Sequence, residues 1–274
     1  MSPAFTFKPV SMVAALLLSA LTLAACGSGG GGGDSGGGSG GGSGGGSGGG
    51  SGGGSTVNTA EGFWAGPTSV VETATQRNYT MAGSVLENGE YWFLVDLNGT
   101  VTGMVQGKGS SLNGAFTTST GSTRLNGQYV AKTSFQGTVK NTAGADVFAY
   151  NMSYDSTYEQ PPGFNIAGTD WVGTLPLANR APFNISITPS GALSGTSTDD
   201  CRIDGTLVPR PGSKRIYNAA LTVNGSVCTA GVATRFTGVA EPTSNQGGAL
   251  KQRVLIKAID DSTQSVPLVI LVDR

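Results

Sequence analysis

The stretch Glu90–Gly103, EYWFLVDLNGTVTG, joins an aromatic and β-branched run to an Asn-Gly pair and then to a Thr/Val run. Aromatic and β-branched side chains suit a pleated, half-buried surface. Asn-Gly accepts the positive φ angles of the tight turns whose twist matches paired strands. The segment therefore reads as strand, turn, strand. Its first half holds a second clue. Tyr91, Trp92 and Phe93 are consecutive, and neighbouring residues of a strand point to opposite faces. At least one of these rings must leave the first face, either to solvent as a contact site or into a neighbouring element. Trp92 is taken as a candidate contact residue on this ground.

The same grammar extends along the chain. Turn pairs recur as Asn88-Gly89, Asn98-Gly99, Asn113-Gly114, Asn126-Gly127, Ser190-Gly191, Asp204-Gly205 and Asn224-Gly225. Between them lie short runs such as TRLNGQYV (Thr123–Val130) and VFAYNMSY (Val147–Tyr154). PFNISITP (Pro182–Pro189) places Phe183, Ile185 and Ile187 on one face and Asn184, Ser186 and Thr188 on the other. That two-residue period marks a half-buried strand. Lys251–Ile259 and Ser265–Asp273, separated by Asp260-Asp261, read as a final hairpin. No segment after the N-terminus keeps a 3.6-residue apolar period. The expectation is an all-β chain built as small antiparallel barrels or sandwiches.

The pattern also repeats. Trp64-Ala65-Gly66 opens one half and Trp171-Val172-Gly173 the other. NGTVTG (Asn98–Gly103) aligns with SGALSG (Ser190–Gly195), LNGAF (Leu112–Phe116) with IDGTL (Ile203–Leu207), and FQGTV (Phe135–Val139) with FTGVA (Phe236–Ala240). Either a diverged duplication or chance matching of Gly-rich strands produces such offsets. Each half has room for seven or eight strands, a size suited to a small barrel. We place the first domain at 61–156, a linker with Pro161-Pro162 at 157–168, and the second domain at 169–274. Trp64 and Trp171 are expected to plug the barrel ends.

The chemistry of residues 56–274 is sparse. They carry 15 Lys+Arg against 16 Asp+Glu, once Lys8 and Asp34 are set aside. Nothing there forms a basic field for nucleic acid phosphates. Histidine is absent from the sequence, which removes Ser-His-Asp and Cys-His mechanisms and the commonest metal ligand. Asp199-Asp200 and Asp260-Asp261 lack calcium-loop spacing. We expect no catalytic residues, no metal site and no cofactor, and hence not an enzyme. Arg210, Lys214 and Arg215 gather in PRPGSKR at a Pro/Gly turn. They read as a solvated tip or as a contact for a protein, polysaccharide or anionic headgroup. Cys201 and Cys228 are expected to pair in a disulfide, closing a loop of about 28 residues that the chain-entropy model values at roughly 3–4 kcal/mol.

The first 55 residues say where the chain works. Lys8 precedes an uncharged apolar run, Ser11–Leu23, with the layout of a secretory signal peptide. It ends in Leu23-Ala24-Ala25-Cys26, which resembles the bacterial lipobox. The resemblance implies cleavage after residue 25 and acylation of Cys26. Gly27 in place of aspartate implies an outer-membrane destination. Residues 27–55 hold 21 Gly, 7 Ser and Asp34. Such a sequence cannot bury enough apolar surface to offset its ordering entropy. We read residues 26–60 as a tether with a mean reach of roughly 30 Å.

Lipobox, tether, W-x-G strand starts and a C…C pair together resemble an uncharacterised group of bacterial envelope lipoproteins. In architecture the chain distantly resembles the transferrin-binding-protein and factor-H-binding-protein surface lipoproteins. The resemblance implies a lipid-anchored protein of the cell envelope with a binding or structural role and a membrane partner through Cys26. The alternative is a lipocalin-like carrier with a small apolar ligand inside a barrel.

Overall fold

The computed structural model describes residues 59–70, 79–121, 123–162, 166–175, 182–212, 214–224, 234–244, 252–264 and 266–274. The signal peptide, Cys26, the tether as far as residue 58 and Cys228 lie outside the described residues. Two separate closed barrels fill the rest, each an eight-stranded antiparallel meander. The first comprises β1 (Gly62–Val70), β2 (Tyr79–Val85), β3 (Glu90–Leu97), β4 (Thr100–Leu112), β5 (Ala115–Thr120), β6 (Arg124–Val130), β7 (Ser134–Lys140) and β8 (Asp146–Asp155). The second comprises β9 (Gly168–Thr174), β10 (Phe183–Ile187), β11 (Ala192–Ser197), β12 (Arg202–Pro209), β13 (Tyr217–Asn224), β14 (Thr234–Ser244), β15 (Gln252–Asp260) and β16 (Pro267–Asp273). β1 closes on β8 and β9 on β16. Among the described residues the single helical segment is a 3-10 turn, Ser156–Glu159, between the barrels. No helix among them is long and apolar enough to cross a membrane.

Alternation drives closure. In β13, Tyr217, Ala219, Leu221 and Val223 are buried while Asn218 and Ala220 face outward. Closing the sheet leaves no unpaired edge for another chain to extend. The two interiors are filled differently. The first holds an aromatic cluster around Phe135, whose ring lies 5.6 Å from Trp64, 5.7 Å from Phe116 and 5.2 Å from Tyr150, all edge-on. Each such pair adds about 0.5–1.5 kcal/mol beyond its buried area. The second is packed with aliphatic side chains such as Ile185, Leu193, Ile203, Leu221, Ile256 and Ile270.

Trp64 and Trp171 play the same part in each barrel. Both are 1% exposed. The Trp64 Nε1–H donates to the Ala60 carbonyl at 2.8 Å, and the Trp171 Nε1–H to the Ile166 carbonyl at 3.1 Å. Each indole plugs its barrel and ties down the chain entering the first strand.

Two of the turn pairs expected from sequence lie inside strands. Asn126-Gly127 is within β6 and Asp204-Gly205 within β12. Gly127 is there for space: a Cβ would sit 2.2 Å from the Gln136 carbonyl oxygen and 2.5 Å from the Tyr150 hydroxyl. The repeat alignment is corrected as well. Ser190-Gly191 joins β10 to β11, which, counted from the tryptophan strands, matches Asn88-Gly89 between β2 and β3. Asn98-Gly99 instead joins β3 to β4, so the sequence alignment was displaced by one hairpin.

Candidate functional site

The third apolar cluster belongs to neither interior. Phe63, Leu86 and Trp92 of the first barrel meet Ile216, Val239 and Ile259 of the second, with Tyr158 of the 3-10 turn among them. β3 makes this contact because both its faces are apolar. Tyr91, Phe93 and Val95 point into the barrel, and Trp92 points out against its neighbour. Trp92 is 7% exposed. Of the two alternatives open to this ring, solvent or a neighbouring element, the second is the one taken: the second barrel covers it.

The basic tip is also turned inward. Arg210 pairs with Glu87 on the first barrel and with Asn218. Lys214 pairs with Glu159 of the 3-10 turn, and its ammonium lies 5.3 Å from the centre of the Tyr158 ring. Arg215 donates to the Gln160 side chain at 2.9 Å. These three residues clamp the second barrel to the first and to the linker. Glu159 also takes Lys132 at 3.0 Å and the Tyr154 hydroxyl at 2.7 Å. The hydrogen bond from Lys214, against the cost of burial and helped by Tyr154 and Lys132, holds the Glu159 carboxyl down to about 2.

A buried ion pair completes the seam, and the sequence reading missed it. Lys257 of β15 is 0% exposed and pairs with Glu241 of β14. Its ammonium also donates to the Trp92 carbonyl of the first barrel at 2.8 Å. Burial pushes Lys257 below its ordinary range, and Glu241 pulls it part of the way back. The available signal was local: a lysine at an outward position of RVLIKAI, where Leu255 and Ile259 on the same face are also apolar.

Beside this seam the barrels diverge and leave a cleft of about 1040 Å³. Outer faces of β3 and β4 form one wall, and those of β12, β13 and β14 form the other. Trp92 and Ile259 line it from the apolar seam. Amide and hydroxyl side chains supply most of the polar lining, namely Gln106, Thr120, Thr206, Asn218, Thr237 and Gln264. Among the described residues, two N–H donors on lining residues have no acceptor: Trp92 Nε1 and Arg210 Nε. Both atoms are buried, and the Arg210 side chain is only 10% exposed. An unpaired buried donor costs about 1–3 kcal/mol. Two of them beside one cleft are a feature to be explained rather than ordinary packing.

The other expected residues have structural roles. Asp260 accepts from the Thr263 amide and hydroxyl, both at 2.7 Å, and holds the β15–β16 turn. Asp261 accepts from the Thr237 hydroxyl at 2.8 Å. Asp200 takes a φ of 63° in the β11–β12 turn, where Ser197 donates to Asp199. Cys201 is fully buried in the second core and is not a free thiol. Its expected partner, Cys228, lies outside the described residues.

No family model matches this chain, and neither a curated protein nor a solved structure matches it.

Proposed function

We propose that the chain is a lipid-anchored binding protein of the bacterial cell envelope and that it meets its ligand in the cleft between the barrels. The observation carrying the binding half is a contrast. The barrel interiors are packed with buried side chains, while the inter-barrel cleft combines concavity with a polar lining. A largely preformed concave site with a few convergent polar groups is the ordinary form of a small-ligand site. The anchoring half rests on Leu23–Cys26 and the Gly/Ser tether. Multiple acyl chains on one cysteine would hold a folded domain at a bilayer without a spanning segment. The absence of histidine and the turn-bound Asp pairs favour a non-catalytic role.

The eight-stranded meander has the topology of lipocalin-like carriers. Phe135 and its ring partners occupy the space a carried ligand would need, so the cleft is the better site. We further propose that Cys201 pairs with Cys228, as oxidising compartments favour.

Growth with an alkyne fatty acid tests the anchor. The full chain should take up label and the Cys26→Ala variant should not. Label persisting in that variant would reject lipidation at Cys26.

A further inference from the structure

The five Asn-Gly pairs of the sequence are alike in chemistry, and the fold holds them in different ways. In such a pair the glycine amide nitrogen can attack the asparagine Cγ, because glycine has no side chain to obstruct the approach. A nitrogen whose proton sits in a hydrogen bond must break that bond first. The Gly89 amide donates to the Leu86 carbonyl at 2.9 Å, and both polar atoms of the Asn88 side chain are tied to Glu90. The Gly99 amide donates to the Asp96 carboxylate at 2.7 Å. Asn126 lies within β6, where its side-chain oxygen accepts from the Thr118 amide at 2.9 Å. Gly225 lies outside the described residues. Asn113-Gly114 is held by none of these devices. It forms the turn between β4 and β5, with φ values of 50° and 78°, and Asn113 is exposed. Among the described residues, neither the Asn113 side chain nor the Gly114 amide has a hydrogen-bond partner.

This turn also sits at a thin joint of the first barrel. Among the described residues β5 and β6 pair at Ala115 with Gln128 and at Phe116 with Gly127, whereas β6 and β7 pair along Arg124–Val130. One further backbone bond extends the short ladder, from the Tyr129 amide to the Gly114 carbonyl at 2.7 Å. On the other side of the ladder, side chains take over. The Thr118 amide reaches the Asn126 side chain, and the Thr118 hydroxyl donates to the Leu125 carbonyl at 2.7 Å.

We propose that Asn113 is a site of spontaneous deamidation and that its isoaspartate product loosens the β5–β6 joint. The Gly114 nitrogen gives its proton to water and bonds to Asn113 Cγ. The Cγ–Nδ2 bond breaks, and Nδ2 takes up a proton and leaves as ammonia. Water then opens the cyclic imide at one of its two carbonyls. Opening at Cγ gives aspartate, and opening at the backbone carbonyl of residue 113 gives isoaspartate. Water is the sole co-reactant, and nothing is oxidised or reduced. In isoaspartate the chain runs through Cβ and Cγ of residue 113. That lengthens the tight turn and displaces the Gly114 carbonyl from the Tyr129 amide.

The test ages the full chain in warm, mildly alkaline buffer. Peptide mapping by mass spectrometry follows each asparagine, and an isoaspartyl methyltransferase counts isoaspartate. Asn113 should convert at least about threefold faster than Asn88, Asn98 or Asn126, a factor within the worth of one hydrogen bond. Asp96→Ala frees the Gly99 amide and should raise Asn98 to the Asn113 rate. Aged wild type should exchange the amide hydrogens of β6 faster than fresh protein. Asn113→Gly keeps a residue that accepts the same positive φ and should age with β6 exchange unchanged. Conversion of Asn88, Asn98 or Asn126 ahead of Asn113 overturns the site. An Asn98 rate untouched by Asp96→Ala overturns hydrogen-bond protection as the cause of the ranking. Isoaspartate at residue 113 with unaltered exchange in β6 overturns the loosening. These outcomes depend on neither the lipid at Cys26 nor a ligand in the cleft.

Discussion

Lys257 joins the two barrels through one buried charge. It is a charge at an apolar interface, held by Glu241 on its own barrel and by the Trp92 carbonyl on the other. A buried pair is costly to break but seldom better than a well-packed apolar replacement. Lys257→Met should therefore cost about 3–5 kcal/mol, because Glu241 stays buried without its cation. The double variant Lys257→Met, Glu241→Leu should recover most of that loss. Urea midpoints of wild type, both single variants and the double variant check this; a double variant as weak as Lys257→Met would refute it. Glu159 behaves differently because it is partly exposed. Its folded value of about 2 lies below its ordinary 4.5. A depressed carboxylate contributes stability above its unfolded value and loses it as pH falls through the folded one. Glu159→Gln should thus lower the melting temperature at neutral pH. The gap from wild type should narrow between pH 4.5 and about 2 and close below it. A gap that does not change over this window would show that Glu159 does not act through its charge.

At the scale of strands, glycines mark where a neighbouring backbone or ring comes too close for a Cβ. A Cβ on Gly127 would meet the Gln136 carbonyl oxygen at 2.2 Å, while one on Gly103 would meet nothing within 4 Å. Gly127→Ala should cost about 1–3 kcal/mol through overpacking, and Gly103→Ala should stay within about 0.5 kcal/mol of wild type. Denaturation midpoints of the two variants make the comparison. The same positions show what the sequence could reveal. Strand β3 was readable to the residue, since its aromatic run ends at an Asn-Gly pair that does turn, with φ values of 53° and 85°. Asn126-Gly127 carries the same letters and sits mid-strand. A dipeptide reports that positive φ is permitted, not that the chain turns there. What forces glycine into β6 is the Tyr150 hydroxyl and the β7 backbone, and neither is visible locally. The consecutive aromatics of β3 were legible as a problem. Their resolution, a second barrel against the outer face, needed a partner surface more than a hundred residues away.

Across the whole molecule the two barrels are coupled more tightly than beads on a string. Their seam has an apolar layer, the Lys257 bridge and a polar clamp at Arg210 and Lys214. This coupling also explains why the candidate site escaped the sequence. Glu90, Trp92, Asn218 and Thr237 come from two domains, and no spacing rule joins them. The apolar face of β3 could be read as an outside contact or as packed on a neighbouring element, and the basic tip as a solvated turn or a partner contact; the letters alone do not choose. If the clamp couples the barrels, the intact chain should melt as one cooperative unit in calorimetry. Arg210→Ala with Lys214→Ala removes the ion pairs to Glu87 and to Glu159 of the 3-10 turn while touching neither interior. The melt should then broaden or split, because the aromatic and aliphatic cores differ in composition and lose part of their reason to unfold together. Phe135→Ala added to that pair should lower only the transition of the first barrel, by the about 3–5 kcal/mol that deleting a core phenylalanine costs. In the clamped protein the same deletion should instead shift the single melt of both barrels. One transition shifting alike in both backgrounds would mean that the apolar seam and Lys257 suffice, and that the ion pairs at Arg210 and Lys214 are incidental to the coupling.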